Sequence, residues 1–517
     1  MVTAPHHLAA QAGAAVLRDG GNAVEAMVAA AATIAVVYPH MNSIGGDGFW
    51  LISRPGEAPI GIDACGRSAG LATLDAYRER GHASIPSRGP LAANTVAGAV
   101  SGWQAALELA RGRLPLARLL EDAIWYAREG VAVTRSQVDY TERFLAELAP
   151  QPGFARAFLH DRRPPEAHST ARLPALAATL SRLAECGLDE FYRGELGRAM
   201  AAELARLGSP LRFDDLERHH ASLVEPLAVE LSLGTAYNLP PPTQGLASLM
   251  ILAIFDRIRG EAAAETFAHV HGIVEATKQA FLVRNRHVGD PETMRVDARE
   301  FLHPDAIAER ARAIDPARAR AWPEPAVRGD TVWMGAADES GMMVSYIQSL
   351  YWEFGSGVVL EDSGVTWQNR GASFSLDPAS HLALAPRRKP FHTLNPALAR
   401  LADGREIVYG NMGGDGQPQS QAAVLSRCAI YGQDLQQAVS APRWLLGRTW
   451  GEMSVSLKLE DRFDPALVAA LRAAGHDVEI IAPYSDLVGH AGALLRHPDG
   501  MIDGASDPRS DGAVAGY

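Results

Sequence analysis

Residues 23–37 read AVEAMVAAAATIAVV, apolar almost all round a helical wheel, with Glu25 the only charge. A helix without a polar face has to be buried on every side. Asn22 stands where it can cap that helix, and Gly20-Gly21 stops an earlier one predicted over 9–18. Helical periodicity continues in several segments between 103 and 207, at 246–257 behind the stiff YNLPPPTQG, and at 269–284 before VGDP. NSIGGDGFWLIS interrupts it with a glycine turn running into a strand. Residues 311–328, rich in Ala, Arg and Pro, read as a mobile connector.

From Thr331 the period shortens to two. TVWMGAAD, ESG and MMVSYIQSL read as strand, tight turn, strand. GREIVYGNMGGDGQPQSQAAVLSRCAIYG reads as strand, glycine turn and a helix stopped at Gly432; a last helix at 465–474 precedes the strand DVEIIA. A helix-rich first part and a strand-rich second part, without internal repeats, predict an α+β protein.

Composition narrows the function classes. The 517 residues are 47% hydrophobic and 21% charged, enough for one large core or two domains. The net charge of -12, with arginines scattered and no basic run, argues against nucleic acid as a partner. Cys65, Cys186 and Cys428 are isolated, which excludes a disulfide framework and favours a reducing compartment. The start MVTAPHHLAAQAG has no secretory pattern, and the longest apolar run is too short for a bilayer. A cytoplasmic protein with no membrane association is the expectation. Metal patterns are poor: His269, His271 and Glu275 meet on one helix face in no recognised zinc spacing, and His6-His7 and His219-His220 read as surface pairs. No metal or other cofactor is expected.

Three stretches carry candidate chemistry. Asp330-Thr331 opens a strand, and its ordinary reading is a β-favouring threonine. Its other reading is a cleavage site: a threonine freed at its N-terminus owns a hydroxyl nucleophile and an amine base with a pKa of about 7.7–8.0. GNMGGDGQPQ places Gly413 and Gly414 at a helix start, where backbone N–H groups can gather an anion; its ordinary reading is a strand-to-helix turn. WQNRG sets Arg370 beside Gln368 and Asn369, either a surface arginine or a fork for a substrate carboxylate.

Ten segments, in order, resemble the γ-glutamyltransferase family of N-terminal-nucleophile hydrolases: GGNAVEAMVAAA, SIGGDGFWLI, NTVAGAVSGW, LPPPTQG, VGDP, GDTVW, FGSGVVLEDSG, LNPAL, NMGGDG and APRW. The resemblance covers nearly the whole chain. It implies a four-layer αββα sandwich and a precursor that cuts itself between Asp330 and Thr331. The products would be a large subunit, 1–330, and a small one, 331–517, which stay associated in one core. A homo-oligomer of that heterodimer is compatible with it. By resemblance Thr331 is the nucleophile, Gly413 and Gly414 form the oxyanion hole, and Ser349 hydrogen-bonds the nucleophile.

The departures bear on substrate. The family positions that hold a glutamyl α-amino group are occupied here by Tyr351, Arg370 and Ser373, with no carboxylate left to pair an ammonium. The family's paired serines become His392 and Thr393, and its carboxylate-binding arginine falls near Cys65, two residues from Arg67. Arg370, Tyr351, Trp333, Asn369, Ser373 and His392 are therefore the candidate substrate-binding residues. Tyr351 and Trp333 suggest a small pocket. The pattern looks most like the oxamate-hydrolysing branch of the family. That implies an acyl-threonine ester, release of oxalate and ammonia, and a place in purine-derived nitrogen scavenging. The alternatives are a γ-glutamyl hydrolase or transferase, a cephalosporin or glutaryl acylase, and an uncleaved binding scaffold.

Overall fold

The structure, a computed structural model, describes residues 1–324, 329–447 and 454–517. Two antiparallel sheets face each other. The first has seven strands, in the order Ala513–Ala515, Val2–Ala4, Asp330–Ala337, Met343–Tyr351, Asp47–Ser53, Ile60–Ala64 and Ser222–Val224. The second has six, in the order Ile502–Ser506, Ala491–Arg496, Glu406–Asn411, Ala397–Leu401, Gly234–Asn238 and Leu227–Leu231. Each sheet draws strands from both sides of the Asp330–Thr331 bond.

Helices cover the two outer faces. Ala23–Val37 is buried along its whole length, as its composition requires, and packs with His7–Arg18 and Leu116–Glu129 over the first sheet. Asn22 closes the predicted cap: its Oδ1 accepts from Val24 N and Glu25 N, both at 3.0 Å, and Glu25 Oε2 accepts from Asn22 N at 2.9 Å. Gly245–Ile258, Phe267–His287 and Gly416–Leu425 cover the second sheet. The result is the expected αββα sandwich.

Alternation along Asp330–Ala337 assigns each side chain to a layer. Val332, Met334 and Ala336 join the helix-side core, and Trp333 joins Phe49, Ile347, Leu398, Val408 and Leu494 between the sheets. Thr331 therefore faces the inter-sheet layer, on the same side as Trp333. The Trp333 indole fits there because its neighbours are glycines. A Cβ on Gly410 would lie 2.1 Å from Trp333 Cδ1, and one on Gly492 2.6 Å from Cζ3. Its Nε1 donates to Ser345 Oγ at 2.9 Å, so the buried indole N–H is satisfied.

Two expectations are corrected. The described part of the 311–328 segment, 311–324, is anchored, not loose; 325–328 lie outside the described residues. Helix Pro304–Arg312 takes its first two residues. Beyond it, Asp315 O bonds His271 Nε2 at 2.9 Å and Ala319 N donates to Ala474 O at 2.8 Å. The buried pair Lys278–Glu275 binds both backbone groups of Arg320, because each charge keeps hydrogen-bonding capacity that must be used inside. The histidine pairs are not both superficial either. His6 is buried as the N-cap of the first helix, and His219 is buried against Ser101 Oγ at 2.9 Å. Among the described residues no helix is long and apolar enough to cross a membrane.

Replacing Trp333 by alanine should empty the inter-sheet layer and cost about 3–5 kcal/mol. A thermal denaturation midpoint well below that of the parent protein is the expected reading, with Trp333→Phe intermediate.

Candidate active site

Asp330, Thr331, Ser349 and Asp47 stand side by side on three neighbouring central strands. Ser349 pairs with Asp47 on one side. On the other, the register shifts between Gln348 and Tyr351, which brings Ser349 beside the Asp330–Thr331 bond. Thr331 Oγ1 donates to the Gln348 carbonyl at 2.8 Å, and Thr331 N donates to Asp330 Oδ1 at 2.8 Å. Ser349 Oγ donates to the Asp330 carbonyl and accepts from Tyr351 N at 2.7 Å. Tyr351 adopts a φ of +86°, which an aromatic residue holds only under tertiary constraint. All of these groups are buried.

The glycine turn lies against the same junction. Gly413 and Gly414 have φ of +105° and +41°, just before helix Gly416–Leu425. A methyl group on Gly329 would sit 2.8 Å from Thr393 Oγ1 and 3.5 Å from Gly414 N. The chain before Thr331 thus runs directly over the turn. Gln244 holds this turn in place: its Nε2 donates to Thr393 O at 2.7 Å and Gly414 O at 2.8 Å. Arg284 Nη1 donates to Gln244 Oε1 at 2.8 Å and to Asp415 Oδ1 at 2.6 Å. This Arg284–Asp415 pair is buried, so removing either partner would strand a charge.

Arg370, in the short 3₁₀ turn Arg370–Ser373, is 1% exposed. Its Cζ lies 3.8 Å from the centroid of the Tyr351 ring. Its one hydrogen bond among the described residues is a long one, Nη1 to Thr393 Oγ1 at 3.5 Å; Nε and Nη2 have no partner. Burial lowers its pKa to about 10, against the pull of Tyr351, Asp47 and Cys65, so it stays charged at neutral pH. A buried guanidinium with free donors is a strong local demand for an anion.

Asp47 is already occupied. Its Oδ1 accepts from Gly66 N at 2.9 Å, Gly98 N at 3.1 Å and Gln368 Nε2 at 3.0 Å, and its Oδ2 meets His392 Nε2 at 2.9 Å. Burial pushes its carboxyl up to about 7, although these N–H groups and Arg370 oppose the shift. His392 is pushed well below its ordinary range, first by burial and then by Arg370. Asp47, Cys65 and His392 come close enough to share an ion, as do His271, Glu275 and His476. Neither group suits a cation, since Arg370 stands beside the first and Lys278 holds Glu275 at 2.6 Å in the second. His269 turns away from its helix neighbours to Ser426 Oγ at 3.0 Å.

The predicted residues thus divide. Thr331, Asp330, Ser349, Tyr351 and Arg370 converge with Thr393 and the glycine turn. The Ser373 hydroxyl is buried in the Arg370 turn without a partner among the described residues. His392 reaches the site from the Asp47 side. Asn369 is occupied in holding the turn, with Oδ1 accepting from Trp352 N at 3.2 Å and Nδ2 donating to Ser87 O at 2.8 Å. The Trp333 indole belongs to the inter-sheet core rather than the Arg370 pocket, because the glycines opposite admit it there. Arg67 points elsewhere, to Glu292 and Asp290. Sequence reasoning missed Asp47, Gln244 and Arg284. The first two sit inside the motifs GGDG and PTQG, but nothing local shows that their side chains are buried.

A strand-borne threonine, a glycine turn and a two-sheet sandwich are the features expected of an N-terminal-nucleophile hydrolase, and the comparisons with known proteins agree. The sequence model described as gamma-glutamyltranspeptidase matches residues 9–517. The chain belongs to that family. It is 57% identical over 521 residues to the oxamate amidohydrolase proenzyme of Klebsiella pneumoniae subsp. pneumoniae, covering 100% of this chain and 98% of that one. It is 38% identical to the glutathione hydrolase-like YwrD proenzyme of Bacillus subtilis, covering 100% and 98%. The solved structure of a cephalosporin acylase from Bacillus halodurans superposes with a TM-score of 0.91 at 33% identity, covering 100% of this chain and 95% of that one. As these proenzyme relatives imply, the protein is a self-processing hydrolase of two associated subunits acting on a small molecule.

Asp47 also gives a pH dependence. A carboxyl raised to about 7 in the folded state binds its proton more tightly folded than unfolded. Its contribution to stability is therefore complete below about pH 4 and is lost as pH rises through about 7. The thermal midpoint of the parent protein minus that of Asp47→Asn should fall between about pH 5 and pH 8.

Proposed function

We propose that cleavage between Asp330 and Thr331 yields a large subunit, 1–330, and a small one, 331–517, and that the mature enzyme hydrolyses oxamate to oxalate and ammonia. The observation that carries the substrate is Arg370, a buried guanidinium with unused donors beside the nucleophile's strand. Oxamate has its carboxylate one bond from the scissile amide carbon, so a cation close to the nucleophile suits it.

The reaction follows from these groups. Cleavage frees the Thr331 amine and lets the chain end at Asp330 leave the space over Gly413 and Gly414. The amine takes the Oγ proton as Oγ adds to the amide carbon. N–H groups at Gly413 and Gly414 stabilise the oxyanion, and Ser349, whose hydroxyl donates to the Asp330 carbonyl before cleavage, turns to hydrogen-bond the nucleophile once that chain end has left. The amine passes its proton to the nitrogen, which leaves as ammonia. Water, deprotonated by the same amine, then splits the oxalyl ester and restores Thr331. Arg370, stacked on Tyr351, holds the carboxylate throughout, with Ser373 and His392 bounding the pocket.

A γ-glutamyl substrate fits less well, because its ammonium would meet Arg370 where the family has amide and carboxylate side chains. A bulky cephalosporin acyl group would have to displace the stacked Arg370–Tyr351 pair. A cytoplasmic location and a role in purine-derived nitrogen scavenging are part of this proposal and rest on the family likeness.

Two measurements test it. Thr331→Ala should abolish both self-cleavage and ammonia release from oxamate; a variant that still splits at this bond would remove Thr331 as nucleophile. Arg370→Ala should raise KM for oxamate at least about 100-fold while changing KM for a neutral small amide by much less. Equal effects on both substrates would remove the carboxylate clamp.

A further inference from the structure

The Asp330 side chain has no part in turnover, yet it is fully buried against the bond that must break. Thr331 N, the nitrogen that departs in self-cleavage, lies 2.8 Å from Asp330 Oδ1. Oδ2 has no partner at hydrogen-bond geometry among the described residues, and the Glu353 carboxyl lies beside the group. On the other side of the same peptide, Ser349 Oγ donates to the carbonyl oxygen and Thr331 Oγ1 is held by Gln348 O. A hydroxyl donor meets the carbonyl oxygen of this peptide and a carboxyl meets its nitrogen, with the nucleophile's hydroxyl held on the adjoining residue.

We propose that the Asp330 carboxyl is the acid of self-processing, delivering a proton to the Thr331 nitrogen as the chain is cut. The inference rests on the cleavage position proposed above. Thr331 Oγ forms a bond to the Asp330 carbonyl carbon, and the C–N bond to Thr331 N breaks. The carboxyl gives its proton to that nitrogen, which becomes the free amine. The proton lost by Oγ recharges the carboxylate, so the shift from amide to ester needs no outside acid. Water then hydrolyses the ester, leaving Asp330 as one chain end and Thr331 as the other.

The surroundings keep this carboxyl in its acid form. Burial raises its pKa well above the ordinary carboxylate range, and the neighbouring Glu353 and Asp486 carboxyls add to the rise, against the Thr331 N–H. The titratable groups that face it among the described residues are Glu353, Asp486, Tyr140 and Tyr38. Tyr140 donates to Asp486 Oδ2 at 2.8 Å. Both line a surface cleft of about 880 Å³ with His490, whose two ring nitrogens are buried without partners among the described residues.

The test follows cleavage of freshly translated precursor over time, reading the 331–517 fragment by mass. Asp330→Asn keeps the shape and the acceptor for Thr331 N but cannot supply the proton. It should slow cleavage about 100-fold or more. The parent rate should fall as pH rises, and the Asn variant should lose that dependence. Asp330→Glu, which keeps an acid one methylene further out, should cleave faster than Asp330→Asn. A structural defect would lower the thermal midpoint of uncut Asp330→Asn without removing the pH dependence, and that result would overturn the proposal. Cleavage of Asp330→Asn at the parent rate would overturn it as well. If Thr331→Ala blocks cleavage while Asp330→Asn does not slow it, only the acid is wrong; a fragment mass marking another bond would instead overturn the cleavage position.

Discussion

The position of one strand governs the rest of the molecule. Asp330–Ala337 lies inside the seven-stranded sheet, paired with Met343–Tyr351 along its length and with Val2–Ala4 at Gly335 and Ala336. A chain end made there by cleavage is not a frayed terminus, because the ladder already holds it. The two pieces remain together for the same reason. Both sheets contain strands from both sides of Thr331, so separating the pieces would expose buried layers and the strand edges where the two meet.

Within that frame, two buried cations do different work. Arg284 is paired with Asp415 and, through Gln244, bonded to the backbone at Thr393 and Gly414. It fixes the glycine turn and its charge is fully offset. Arg370 has comparable burial and no such partner. The nearest carboxylate, Asp47, is committed to three N–H groups and His392. Leaving a guanidinium unsatisfied inside a folded protein is unfavourable, and sites that do so are sites for a ligand. The geometry gives Arg370 a binding role and Arg284 a structural one, although both are buried arginines near the same turn.

Much of the fold was legible from local pattern. An apolar run without a polar face required a buried helix, Asn22 and Glu25 announced its cap, and the change to a two-residue period at Thr331 marked the central hairpin. The layer architecture was legible only through the likeness of ten ordered motifs to the γ-glutamyltransferase family, which implies that sandwich. The run at 311–324 was misread, since Ala, Arg and Pro suit a tether wherever no partner is in view. The partners that pin it, Glu275, Lys278 and Ala474, lie far away in sequence. Trp333 misled in a similar way: its size suggested a pocket wall, whereas glycines at 410 and 492 make room for it between the sheets.

By itself, the sequence determined the elements, the family and the residue types that chemistry at Thr331 would need. Periodicity, capping and turn chemistry are local, and they act through neighbours a few residues apart. Tertiary structure alone decided which of those residues meet. Whether an arginine is exposed, paired or left open to a ligand depends on carboxylates brought from distant strands. Whether an aspartate is a plain neighbour of a threonine or a buried acid against its nitrogen depends on what surrounds it. Burial and charge at Arg370, Asp47 and Asp330 are properties of the packed sheets, and no window along the chain contains them.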